Sequence, residues 1–339
     1  MNPSKTPSIR FKELDALRGL CAIAVLSSHY TTVYAMCYFP ADPPLFYFPW
    51  VAYRVQIFCM ISGFVMTMIL ERTTNPLDFI VARFSRLYPA YAVAVIVSAI
   101  LVTVFALPFK SVTVLQVLVN LTMLQSWFGV KNVEGSFWYL TPELAFYGIM
   151  LSLFILKKMK YIEEIGLLGI VGVLFGHLHW PALLVNSQLL FLWHLFFAGI
   201  LFYNLKTKGE AWHRHAALAL CFMTQNIISD DFLSALCLAG CFIAFYLFIY
   251  GKLKWIIQKP LLYLGAISYS LFLTHENMGW IIIRELYAVG ANPWLRFLVP
   301  TATAILVATA MTFCIERPAR AYLRDRYKQR QNKPATIRG

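Results

Sequence analysis

Apolar residues run through this chain in long blocks, not in the short stripes of a soluble fold. Ten runs reach or approach membrane-spanning length, at roughly 15–37, 51–70, 87–107, 137–156, 163–179, 187–205, 212–229, 232–250, 261–283 and 295–315. About 20 helical residues cross a hydrocarbon core about 30 Å thick, and a helix satisfies its own backbone polar groups there. The pattern predicts an all-α, polytopic integral membrane protein of about ten transmembrane helices. A further apolar piece at 111–127 is too short to span and predicts an interfacial or re-entrant segment.

The stretch between the second and third runs reads Asn75-Pro76-Leu77-Asp78-Phe79-Ile80-Val81-Ala82-Arg83-Phe84-Ser85-Arg86-Leu87-Tyr88-Pro89. Leu77, Ile80, Phe84 and Leu87 share one helical stripe, which predicts a short interfacial helix. Pro89 disfavours helical geometry at Tyr88, so a break or kink is expected before the third run. Residues 1–320 then form one membrane domain, and the polar, basic segment 321–339 is expected to be a disordered cytoplasmic tail.

Charge fixes the expected orientation. Of the 29 lysines and arginines, 24 fall on one side if the N-terminus is cytoplasmic, leaving Arg54, Lys110, Lys131, Arg284 and Arg296 on the other. Positive residues are retained inside, so both termini are expected in the cytoplasm. The net charge of +13 then reflects topology and attraction to anionic lipid, and no nucleic-acid partner is needed. Charged residues are only 13% of the 339, against 60% hydrophobic, where a soluble domain carries about a quarter charged. The first run is too long for a cleaved leader and reads as a retained anchor. Seven cysteines lack paired CxxC spacing, which reads as buried free thiols. His177 with His179, and His213 with His215, stand two apart on different helix faces, so no metal site is expected.

The candidate chemistry begins in the first run. Arg18 and His29 are eleven residues apart, close to a whole number of turns, so both project from one helix face about 16 Å apart. Ionisable groups within a membrane are costly and usually functional. The competing account is a snorkelling arginine above a packing histidine. Asp15, three residues before Arg18, is its expected charge partner. Arg83 and Arg86, at i and i+3, can face one anion together, and guanidinium forks suit phosphate oxygens; anchoring to lipid phosphates is the alternative. His194 beside Trp193 carries no motif and reads as structural. The many aromatics near the outer ends, among them Tyr38, Phe39, Phe46, Phe48, Trp50, Trp127 and Phe128, read mainly as an interfacial belt.

Six segments in order resemble the acyltransferase 3 family of integral membrane proteins, over roughly residues 10–320. They are Arg18-x10-His29; Phe58-Cys59-Met60-Ile61-Ser62-Gly63-Phe64; Arg83-x-x-Arg86-Leu87-Tyr88-Pro89; Trp138-Tyr139-Leu140-Thr141-Pro142-Glu143-Leu144-Ala145-Phe146-Tyr147; Ile267-Ser268-Tyr269-Ser270-Leu271-Phe272-Leu273-Thr274-His275; and Glu316-Arg317-Pro318. Two residues depart from the family pattern: Cys59 where an aromatic is usual, and Tyr139 where serine is common.

The resemblance implies an enzyme of the inner membrane that moves an acyl group, most simply acetyl, from cytoplasmic acyl-CoA to a hydroxyl of a sugar in a polysaccharide or lipid-linked glycan. On that reading Arg18, Arg83 and Arg86 hold the coenzyme A phosphates, and Ser62-Gly63 gives passage to the pantetheine arm or close approach of helices. His29 and Glu143 are the expected catalytic residues, with His29 either a general base or a transient acyl carrier. Glu143 would orient an imidazole, bind sugar hydroxyls or pair with a cation. His275, Trp138 and Tyr269 are the expected acceptor contacts. Two other classes remain open: a sugar or anion transporter using the same buried histidine for passage, and a silent membrane scaffold.

Overall fold

The computed structural model describes residues 10–38, 44–47, 55–181, 188–229 and 231–331. Within these the protein is all-helical. In chain order the helices are α1 (Lys12–Tyr38), α2 (Val55–Leu70), α3 (Pro76–Val104), α4 (Val114–Leu121), α5 (Gly135–Ile155), α6 (Met159–His179), α7 (Gln188–Lys208), α8 (Trp212–Ser229), α9 (Phe232–Ile249), α10 (Lys259–Ala288) and α11 (Pro293–Gln331). Each of the ten predicted runs falls on one of these helices. Seven of them, α1, α3, α5, α6, α7, α9 and α11, are long and apolar enough to cross a membrane. Helix α2 has 16 residues, about 24 Å of rise, and α8 and α10 carry several charged and amide side chains. The protein is a multi-pass membrane protein. The predicted aromatics Phe39, Phe48 and Trp50, and Arg54, lie outside the described residues.

Helix α7 is the hub. Every residue from Leu192 to Leu205 is buried, as expected of a helix apolar on all sides. It crosses α2 through a glycine pair: a Cβ at Gly63 would collide with the Phe196 carbonyl, and one at Gly199 with the Met60 carbonyl. Small residues of this kind let membrane helices approach backbone to backbone. Helix α1 meets α10 in the same way, through Gly19 and Gly265, which abut Leu261 and Asp15 backbone respectively. Gly63→Ala or Gly199→Ala is therefore expected to cost about 1–3 kcal/mol, read as a lower unfolding midpoint in detergent. Gly172→Ala, with open space at its Cβ, serves as the control.

Two expectations need correction. The short interfacial helix does not break at Tyr88; α3 continues through Pro89 as one helix of 29 residues. Proline there removes one backbone donor, and Tyr269 Oη donates to the Leu87 carbonyl (2.8 Å), bracing the turn from outside. Tertiary packing overrides the local preference, as Ala90, Tyr91, Ala94 and Val95 bury immediately beyond it. The basic tail is also ordered further than predicted, staying helical to Gln331. Tyr327 Oη and Gln331 Nε2 both donate to Asp78, docking the end of α11 on the start of α3; residues 332–339 are outside the described set.

The 111–127 piece holds only α4, eight residues long, or about 12 Å. The loop after it is tied back: Asn120 Nδ2 donates to the Gln116 and Lys131 carbonyls, and Asn120 Oδ1 accepts from Val133 N. This loop system delivers Lys110 and Glu134 into the bundle.

Candidate active site

His29 opens a π-turn, His29–Val33, inside α1. Such bulges insert one residue into an α-helix and recur at functional sites. Tyr30, the next residue, also reaches α10. There Tyr30 Oη donates to the His275 carbonyl (2.6 Å), and Trp280 Nε1 donates to the His29 carbonyl (3.0 Å). The backbone carbonyls of both histidines are thus held in place.

Among the described residues, α10 supplies the ring partners of His29. His275 Nδ1 lies 3.0 Å from both the Leu271 and Phe272 carbonyls, and His275 Nε2 lies 3.1 Å from His29 Nδ1. Carbonyls only accept, so His275 Nδ1 carries the hydrogen and, in the neutral ring, its Nε2 accepts. His29 Nδ1–H therefore points at His275 Nε2 and at Glu276 Oε2, 3.3 Å away. With both rings neutral, this arrangement places the hydrogen of His29 on Nδ1 and its lone pair on Nε2.

Glu276 is 5% exposed, and its other oxygen accepts from Lys110 Nζ at 3.0 Å. Lys110 also contacts Asn277 Oδ1 and sits 4.5 Å above the Trp280 ring. A buried carboxylate is tolerated only when paired and hydrogen-bonded, and Lys110 with His29 meets that need. Asn277 links the group to a second acid: its N–H donates to Glu134 Oε1 (2.8 Å), and Ser98 Oγ donates to the other Glu134 oxygen. Burial, reinforced by the Glu276 charge, raises the Glu134 acid above the ordinary carboxylate range. The two acids are differentiated by environment, with the cation on Glu276.

His29 lines a cavity that encloses about 920 Å3 of empty space, open solvent included. The same cavity is lined by Arg18, Arg83 and Arg86, by Glu143, Ser62 and Tyr147, and by Phe58, Trp138, Tyr139 and Phe272. Three guanidinium groups and a buried histidine thus share one space, separated by the length of α1 between Arg18 and His29.

The Acyltransferase domain family model matches residues 11–314. The chain belongs to this acyltransferase family. It is also 35% identical over 101 residues to "Protein 2 in picA locus" of Rhizobium radiobacter, a match covering 28% of this chain and 48% of that protein. The chain thus spans about half the length of that curated relative. No solved structure matches.

The acyltransferase fold gathers most of the predicted residues. Arg18, His29, Ser62, Arg83, Arg86, Trp138, Glu143 and Tyr269 all line the cavity. Gly63 does not; it packs on α7. His275 stands behind His29, bonded to it and to its own helix, and is not among the lining residues. Glu143 accepts from Ser62 Oγ (2.8 Å) and Tyr147 Oη (2.5 Å), while the carboxylate against His29 is Glu276. Asp15 bonds Arg10 more closely than Arg18, which is 3.9 Å away. His194 is fully buried on Gln225, at 2.7 Å. Cys59 and Tyr139, the two departures from the family pattern, lie beside each other, a small residue facing a large one. Sequence reasoning missed Glu276 and Lys110. The signal was present in His275-Glu276-Asn277, three consecutive polar residues in mid-run, where each is expensive; Lys110 carried none, being one loop lysine.

Proposed function

We propose that the protein is an acyl-CoA-dependent O-acyltransferase of the cytoplasmic membrane, most simply an acetyltransferase, that acylates a sugar hydroxyl of a polysaccharide or lipid-linked glycan. The observation that carries this reading is a cavity lined by both the arginine triad and His29. Coenzyme A is an anionic head on a long thin arm ending in a thioester. Arg18, Arg83 and Arg86 would hold the head at the cytoplasmic side, with the arm laid along α1 toward the imidazole. Ten membrane crossings with both termini in the cytoplasm fit the distribution of lysine and arginine.

The chemistry rests on the tautomer. His29 Nε2 takes the proton of the acceptor hydroxyl as that oxygen attacks the thioester carbonyl. The tetrahedral intermediate collapses, the C–S bond breaks, and the imidazolium returns the proton to the departing thiolate. Glu276 stabilises the imidazolium through Nδ1, and Lys110 keeps that carboxylate in place. Direct transfer needs one proton site only, which His29 supplies. Glu143, held by Ser62 and Tyr147 in the same cavity, is proposed to contact the arm or the acceptor.

Titration of coenzyme A into the purified protein tests the reading. Arg83→Ala and Arg86→Ala are each expected to weaken binding by about 10–100-fold, the worth of a charge-assisted hydrogen bond, and raised salt is expected to weaken wild-type binding. Unchanged affinity in both variants would leave the arginines as lipid anchors and remove the proposal.

A further inference from the structure

A second cavity lies on the opposite side of the π-turn, toward the C-terminal end of α1. It holds about 1030 Å3 of empty space, open solvent included, and its lining includes Tyr30, Thr31, Tyr34, Tyr287, Arg296 and Phe297. No residue lines both this cavity and the one that contains His29. Aliphatic side chains and prolines complete its walls, and among the described residues Arg296 is its one cation. The Arg296 guanidinium stacks on the Tyr287 ring at 4.2 Å, and its Nε is buried without a hydrogen-bond partner. Buried guanidinium donors are normally satisfied, and the neighbouring Arg284 is, by Glu285. A guanidinium lining a cavity beside aromatic faces suits a ring carrying an anion: a face takes the apolar side of the ring, and the guanidinium takes the charge.

We propose that this cavity binds a sugar residue bearing a carboxylate, as part of the acceptor glycan. The proposal rests on the acyltransferase reading and adds to it the class of acceptor, an acidic glycan. Its place is mechanically connected to the chemistry. Tyr30 and Thr31 come directly after His29, and Tyr30 also bonds the His275 carbonyl, so an occupant touches the turn that orients the catalytic ring. The anion at Arg296 would anchor the glycan against the turn that follows His29.

The test uses full-length protein in uncharged detergent, saturated with coenzyme A so that the arginine triad is occupied. Sodium glucuronate and glucose are titrated calorimetrically. Glucuronate is expected to bind and glucose to bind at least about tenfold more weakly, the worth of one charge-assisted hydrogen bond. Arg296→Gln should lose that preference with coenzyme A affinity unchanged, and Arg284→Gln should keep it. Equal binding of the two sugars by wild type, or an undiminished preference in Arg296→Gln, overturns the proposal. If Arg296→Gln does not fold, protection of wild-type Arg296 from phenylglyoxal by glucuronate, read by mass spectrometry, decides the same point. Repeating the titration in phosphatidylglycerol nanodiscs against phosphatidylcholine nanodiscs separates the sources of anion: glucuronate binding retained in both supports the sugar site, and its loss only in phosphatidylglycerol assigns the cavity to lipid headgroups. Failure of any form to bind coenzyme A would instead remove the underlying acyltransferase reading.

Discussion

His29→Gln is expected to lower the rate of acyl transfer by about 10²–10⁴-fold, the range a positioned general base contributes, with coenzyme A affinity essentially unchanged. Glutamine fills much the same volume and can still donate toward Glu276, so the fold should survive. What is lost is the lone pair on Nε2. The measurement is thiol release from acetyl-CoA with and without acceptor, alongside binding of coenzyme A to the same preparation. Equal turnover in wild type and variant would sink the mechanism. A variant that neither binds coenzyme A nor unfolds cooperatively would show that the histidine is a packing residue.

Removing the charge behind the imidazole is the second large effect. Glu276→Gln keeps an acceptor near His29 Nδ1 but provides no anion for the imidazolium, and a loss of about 10²-fold in kcat is expected. It also strands Lys110 beside a neutral amide. Breaking a fully buried pair costs about 3–5 kcal/mol; since Lys110 is 22% exposed, solvent offsets part of this and about 1–3 kcal/mol is expected. Lys110→Met strands the carboxylate instead and should also destabilise. The double variant, with neither charge, is expected to regain most of the stability and none of the rate. Thermal unfolding and kcat measured on all four forms separate the two roles. Recovery of both together would mean that the pair serves the fold alone.

The architecture was legible because it depends on hydrophobic run length, and lipid allows little else. Within the described residues each of the ten predicted runs falls on a helix, seven of them long and apolar enough to cross a membrane, and the eight-residue α4 sits where a non-spanning piece was expected. The misplaced features were local. At Tyr88-Pro89 a backbone preference of modest size yields to buried packing on both sides and to the Tyr269 hydroxyl. At 321–331, composition alone read as disorder, yet Tyr327 and Gln331 find Asp78 across most of the chain, a contact no local pattern carries. The site was half legible. Arg18 and His29 share a helix, so periodicity places them together, and Arg83 with Arg86 likewise. The partner of His29 could not be read this way, because it lies on α10, almost the whole chain away, and its selection over Glu143 depends on how α1 and α10 cross.

That crossing has a mechanical meaning. Gly19 and Gly265 pin the two helices near the arginine end, and His29 lies ten residues further along α1, about 15 Å from the pin. A swing of only about 4° there carries the imidazole about 1 Å relative to Glu276, and displacements of that size are enough to cost about 10²-fold in rate. The glycine contact thus behaves as the fulcrum of a lever whose far tip is the reacting nitrogen. On the proposed mechanism, side chains that merely loosen the fulcrum would blunt the rate as surely as changes at its centre.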